Sequence, residues 1–131
     1  MFFKENYFGF DDALFASCKL IYLLLEEKNR EYFKNLPKIF VSPEIRVLCE
    51  DSHKNLTISK IKDLLNNKKI PYNDVDGIRV ECKKGWRLIR RSNSEDSLVI
   101  RFEGYSQDNF HFILTHLSNI LRSIGINNFF N

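Results

Sequence analysis

The chain has 131 residues and a mass of 15.6 kDa, 44% hydrophobic and 28% charged, with five Gly and three Pro. That is the size and composition of one globular domain, or of one domain plus an appendage, and it excludes global disorder and collagen-like or low-complexity classes. Net charge is +3, yet the stretch from Arg79 to Arg91 alone carries +5, leaving −2 for the remainder. The chain therefore has one basic site, which suits a single small anion better than a long phosphate backbone.

Asp11 or Asp12 can cap a first helix that starts at Ala13 and runs to about Lys28. Its stripe is Leu14, Cys18, Ile21 and Leu25, widened by Phe15, Leu20, Leu23 and Leu24. So broad an apolar face predicts a partner on more than one side. Glu26 to Asn35 reads as a polar connector. A strand bent at Ser42-Pro43 follows, built from Ile39-Phe40-Val41 and Ile45-Arg46-Val47-Leu48. Asp51 or Ser52 caps a second helix whose inward residues are Leu56, Ile58, Ile61, Leu64 and Leu65.

Asp74-Val75-Asp76-Gly77 is a turn signal. Three strands then follow in a meander. Ile78 to Cys82 is joined by a Lys83-Lys84 hairpin to Trp86 to Arg90, and a polar loop from Arg91 leads to Ser97 to Glu103. Ser106 or Asp108 caps a last helix with Phe110, Ile113, Leu114, Leu117, Leu121 and Ile124 inward, and Gly125 stops it. From Pro37 on, this order predicts an α+β domain of two layers: an antiparallel sheet with two helices on one face. The first helix lies outside that plan. Twelve Phe, five Tyr and one Trp predict an aromatic core.

The longest apolar run, Leu20 to Leu25, is far short of a membrane span, and the first residues lack the order of a signal peptide. A soluble, cytoplasmic protein with no membrane or nucleic-acid partner is expected. Cys18, Cys49 and Cys82 lie far apart without a C-x-x-C, so they read as reduced thiols. His111 and His116 are five apart and fall on different sides of a helix, and His53 stands alone, so no metal set is expected. The glycines are scattered singly, with no dinucleotide or Walker loop. No catalytic residue is assigned.

The loop Arg90-Arg91-Ser92-Asn93-Ser94-Glu95-Asp96 is the candidate site. It offers guanidinium, two hydroxyls, a side-chain amide and free backbone N–H groups in consecutive positions, the donors a phosphate dianion needs. Strand alternation places Arg90 with Trp86 and Leu88, and Arg91 with Arg87 and Ile89. Only one of the two arginines is then expected to aim easily into the loop. A solvated polar turn is the plainer alternative.

Three motifs bear on that choice. The first is Phe2-Phe3-Lys4-Glu5-Asn6-Tyr7-Phe8-Gly9-Phe10-Asp11-Asp12-Ala13. The second is Ser42-Pro43-Glu44-Ile45-Arg46. The third joins Asp76-Gly77-Ile78-Arg79-Val80, Gly85-Trp86-Arg87-Leu88-Ile89-Arg90, Ser92-Asn93-Ser94 and Val99-Ile100-Arg101-Phe102-Glu103. In this order they resemble the C-terminal part of an α-D-phosphohexomutase of the phosphomannomutase/phosphoglucomutase family.

The resemblance implies that residues 1–35 are the last segment and helix of that family's domain 3, and 36–131 its domain 4. The implied fold of domain 4 is TATA-binding-protein-like. Arg90, Ser92, Asn93 and Ser94 match positions that hold the phosphate of a hexose phosphate substrate, and Asn93 resembles the phosphomannomutase/phosphoglucomutase version of the loop. Ser94 stands where the family has Thr and Asp96 where it has Pro. Glu95 and Asp96 would repel a phosphate unless they point away.

The complete enzyme implied by the resemblance interconverts hexose 1-phosphate and hexose 6-phosphate through a bisphosphate, using a phosphoserine and magnesium. Its serine, metal and sugar loops lie upstream of Phe2 in the family. The expectation is a chain that docks phosphate, has no cofactor of its own and is inactive alone. Its partners would be the enzyme's N-terminal domains, or a second copy bound through the first helix. The alternative is a stand-alone phosphosugar-binding or interaction module left by a split or decayed gene.

Overall fold

The computed structural model describes residue 8 and residues 10–127, so the part of the first motif from Phe2 to Tyr7, and Gly9, lies outside the described residues. The chain divides into two compact units, 1–37 and 38–131.

In the first unit, Asp12 caps helix α1 (Ala13–Leu25) by accepting the Phe15 N–H at 2.8 Å. A second helix, α2 (Glu27–Lys34), replaces the expected connector. Five of its eight residues, Glu27, Lys28, Arg30, Glu31 and Lys34, are strong helix formers and none is Gly or Pro, and Glu27 and Lys34 suit its two ends. Their polarity signals exposure and not irregularity. The break falls at Glu26, whose backbone is extended, and Asn29 bridges it by donating to the Leu23 carbonyl at 3.1 Å and to the Glu26 carboxylate at 3.0 Å. Neither helix has a buried residue.

The second unit is α+β, as expected. Its antiparallel sheet contains β1 (Phe40–Val41), β2 (Ile45–Leu48), β3 (Ile78–Cys82), β4 (Gly85–Arg91) and β5 (Ser97–Gly104). Both β1 and β2 pair with one edge of β5, and β4 and then β3 continue from its other edge. The bend between β1 and β2 is pinned by Ser42, which exchanges backbone and hydroxyl bonds with Phe102 at 2.9 and 3.0 Å.

Helices α3 (Asp51–Asn67) and α4 (Gln107–Ser123) pack on the sheet. Ser106 caps α4 by accepting the Asn109 N–H at 3.2 Å. Neither Asp51 nor Ser52 caps α3: the cap position is Glu50, with no side-chain bond. Asp51 turns to Lys54 instead.

The core is aliphatic. Leu98, Ile100 and Phe102 of β5 meet Ile61 and Leu65 of α3 and Ile113, Leu117 and Leu121 of α4. Among the described residues Phe102 is the one aromatic in the buried set, with the Phe110 ring tilted against it, centroids 4.8 Å apart. The expected aromatic core is therefore not what forms. Alternating β-branched and Leu positions fill the narrow space between sheet and helices, while Phe8, Phe10 and Tyr32 lie exposed in the first unit. Leu56, expected inward, is also exposed.

Close strand approach explains the glycine of the Gly85-Trp86 motif. Gly85 has φ +144, and a Cβ there would lie 2.0 Å from the Glu103 carbonyl oxygen. Gly85→Ala is expected to cost about 1–3 kcal/mol, the usual range for overpacking. The measurement is the urea midpoint, and an unchanged midpoint would show that β4 can shift off β5 freely.

Candidate functional site

The loop joining β4 to β5 spans 92–96 and sits where the first turn of α3 meets the end of the sheet. The chain reverses there on its own short bonds. Ser92 N–H donates to the Ser97 carbonyl at 2.9 Å, Ser97 N–H to the Glu95 carbonyl at 2.7 Å, and Glu95 N–H to the Ser92 hydroxyl at 3.2 Å. Among the described residues, the N–H groups of Asn93, Ser94 and Asp96 have no acceptor.

A cleft of about 290 Å³ opens beside the loop, lined by Asn55 and Lys62 of α3, the 74–77 turn, Arg90, Arg91 and Asn93. A neighbouring cleft takes in Lys54, Ser92 and, again, Asn93. The structure thus brings Arg90, Ser92 and Asn93 to one end of the sheet. Ser94 lines neither cleft, and Ser92 is 8% exposed, its hydroxyl engaged by Glu95.

Both arginines reach the larger cleft, contrary to the expectation from strand alternation. Arg91 ends β4, where the strand gives way to the loop, and its guanidinium donates to the Asn55 side chain. Arg90 makes no ion pair or side-chain hydrogen bond among the described residues. It is positioned instead by backbone packing. Gly77, at φ +86, lies so close that a Cβ would fall 2.5 Å from Arg90 Cβ and 2.6 Å from the Ile89 carbonyl oxygen. The 73–77 turn is closed by paired Asn73–Arg79 backbone bonds of 2.8 Å and by Val75 N–H donating to Asn73 Oδ1 at 2.9 Å.

The single basic site expected from the Arg79–Arg91 charge run does not form. Arg79 stacks on Trp86 at 4.1 Å and pairs with Glu81 at 2.8 Å. Lys84 lies 3.5 Å from the Phe112 ring centroid. Arg87 is 6% exposed, and burial lowers its pKa. Successive strand residues face opposite ways, so a charge run along a hairpin is split between two faces. The cleft's cations come from two places in the sequence: Arg90 and Arg91 from β4, Lys62 from α3. Lys62 bonds Asp74 across the cleft at 2.8 Å, which raises the lysine pKa and lowers the aspartate pKa.

One of the two acidic loop residues, Glu95, is held by the second motif. Arg46 pairs with the Glu95 carboxylate and with Glu44 at 2.7 Å, and both bonds raise its pKa. Below the loop, Lys54 donates to the Ser92 carbonyl at 3.0 Å and to the Glu95 carbonyl, and pairs with Asp51. Sequence reasoning found neither Lys54 nor the role of Arg46. Their partners are 38 and 49 residues away, and no local pattern signals such pairs.

Among the described residues no group of three or more His, Cys, Asp or Glu is placed to hold a metal ion. Magnesium, which the resemblance attaches to the complete enzyme, has no donor set among them. Cys18, Cys49 and Cys82 are free thiols, and no helix among the described residues is long and apolar enough to cross a membrane.

Residues 44–115 match the family profile described as phosphoglucomutase/phosphomannomutase, C-terminal domain. A phosphomannomutase/phosphoglucomutase of Pseudomonas aeruginosa is 30% identical over 126 residues, covering 95% of this chain and 27% of that protein. A phosphoglucomutase of Neisseria meningitidis is 33% identical over 126 residues, covering 94% and 27%. A crystal structure of a phosphoglucomutase/phosphomannomutase family protein from Burkholderia thailandensis superimposes with a TM-score of 0.75 at 27% identity, over 93% of this chain and 26% of that one. The chain thus spans about a quarter of the length of the relatives it matches.

Two outcomes test this geometry. Gly77→Ala is expected to push the 74–77 turn off Arg90 at a cost of about 1–3 kcal/mol, with the largest amide shifts at Arg90 and Arg91; shifts confined to the turn would contradict the contact. The Asp51 carboxyl, hydrogen-bonded by Lys54, is held below its usual 3.8. Its ionised form is favoured by folding, so the stability it contributes is present above that usual value and lost as pH falls through the lowered one. A carbon-13 titration should place the Asp51 midpoint below 3.8 and show it rising in Lys54→Met.

Proposed function

The chain belongs to the phosphoglucomutase/phosphomannomutase family as its C-terminal domain, and we propose that it docks the phosphate of a hexose phosphate at the 90–94 loop. Arg90 supplies the fixed charge. Asn93 and the backbone N–H groups of the loop supply oriented donors, with the Ser92 and Ser94 hydroxyls on either side of Asn93. The observation that carries this reading is the coincidence of an uncommitted guanidinium with three loop N–H groups, those of Asn93, Ser94 and Asp96, that have no acceptor among the described residues. Successive backbone donors in a turn form a concavity suited to an anion, and a nearby arginine fork matches phosphate geometry. The first turn of the 17-residue helix α3 lines the adjoining cleft, and its positive end adds to the same potential.

These donors read phosphate and not a sugar. That suits an activity in which one hexose must be held by either of its two phosphorylated ends, the interconversion of hexose 1-phosphate and hexose 6-phosphate through a bisphosphate. In such transfers much of the catalysis is positioning and electrostatics, and positioning is what this chain would contribute. By itself it is expected not to turn over. α1, which has no buried residue and carries exposed Leu14, Ile21 and Leu25, would pair with a second copy when the 131-residue chain is alone. Its setting would be the cytoplasm.

The test is an amide NMR titration of the chain with glucose 1-phosphate, repeated on Arg90→Ala. Saturable shifts at residues 90–94, weakened at least tenfold in the variant, are expected. No shift at millimolar ligand would overturn the docking reading, and steady mutase turnover by the purified chain would overturn its inactivity.

A further inference from the structure

Lys54 is the most buried charged side chain among the described residues, 4% exposed. Burying an ammonium is costly unless its donors are satisfied, and this one spends all three. Two go to the carbonyls of Ser92 and Glu95, and the third to Asp51. Nothing is left over for a ligand. The side chain reaches from α3 to both ends of a five-residue loop and touches it only through the backbone.

The consequence lies in the peptide plane. In a trans peptide the C=O and the following N–H point in opposite directions. The Ser92 carbonyl is drawn toward Lys54, so the Asn93 N–H is directed away from it. The Glu95 carbonyl is drawn in likewise, so the Asp96 N–H is directed away. These are two of the three loop N–H groups without an acceptor among the described residues. The N–H groups of Ser92 and Glu95, by contrast, are consumed inside the loop.

We infer that Lys54 is a positioning residue for phosphate docking: its ammonium, anchored by Asp51, turns the loop peptides so that the Asn93 and Asp96 N–H groups face outward as oriented donors. This rests on the docking reading above and adds the device that pre-sets the donors. Arg46 serves the same end from the other side by holding the Glu95 carboxylate, which would otherwise compete with an incoming anion.

The experiment compares the wild-type chain with Lys54→Met, which keeps the apolar stem, and with Leu65→Val, which loosens the core beneath α3 without touching the loop. Two quantities are read: amide exchange at Glu95 and Ser97 without ligand, and affinity for inorganic phosphate by NMR titration. In Lys54→Met, exchange at both amides should quicken and phosphate affinity should fall at least tenfold. Leu65→Val should lower the melting temperature with affinity unchanged. If Lys54→Met does not fold, Lys54→Gln, which retains two N–H donors on an uncharged side chain, carries the same two readouts with a smaller expected loss.

A folded variant with unchanged loop exchange or unchanged affinity, against a wild type that binds, would overturn the Lys54 inference alone. An equal loss of affinity in Leu65→Val would reduce Lys54 to a structural role and overturn it as well. Failure of the wild type to bind would overturn the docking reading, and the purpose given to Lys54 with it.

Discussion

Strand β5 is the constraint on which the rest of the second unit depends. It lies inside the sheet, paired to β1 and β2 along one edge and to β4 along the other. Its residues Leu98, Ile100 and Phe102 supply the sheet's share of the core. Val99, on the opposite face, is flanked in register by Arg46 and Arg90 and is 2% exposed, covered on a face that could otherwise meet water. A slip of one residue would exchange these two faces, so the register is strongly determined. The loop at 92–96 begins where β4 leaves this pairing and ends where β5 enters it. Its location is therefore inherited from the core.

The loop's conformation has a different origin. A five-residue connection with two carboxylates has no intrinsic reason to present its N–H groups outward. The surroundings impose it. Gly77 lets the 73–77 turn close against Arg90, Arg46 draws Glu95 aside, and Lys54 holds two carbonyls from below. Each of these groups sits on a different element. The candidate site is thus assembled by tertiary packing around a short stretch that carries the donors proposed for docking.

Much of the fold was legible in advance because hydrophobic period and turn residues dominate where an element buries one face. The three-strand meander, the bend at Ser42-Pro43, the Ser106 cap and the Gly125 stop were of this kind. The errors arose where no buried face speaks. α2 is mostly polar and has no buried residue, so its pattern reads as a connector although charged helix formers make up most of it. Asp51, a good cap by residue type, was drawn instead to Lys54. The aromatic count misleads because, among the described residues, most Phe side chains lie outside the buried core, which is set largely by aliphatic positions.

The sequence by itself determined the α+β plan, the family and the place of the 90–94 loop between two strands, because these follow from local periodicity and contiguous motifs. Only the tertiary structure decided which cations meet there. Strand alternation turned Arg87 to the face opposite Arg90, Trp86 and Glu81 engaged Arg79, the Phe112 ring engaged Lys84, and packing of α3 against the sheet end brought Lys54, Asn55 and Lys62 to the loop. Charge proximity depends on distance in space, and a run of residues along a hairpin fixes that distance only after the chain has folded.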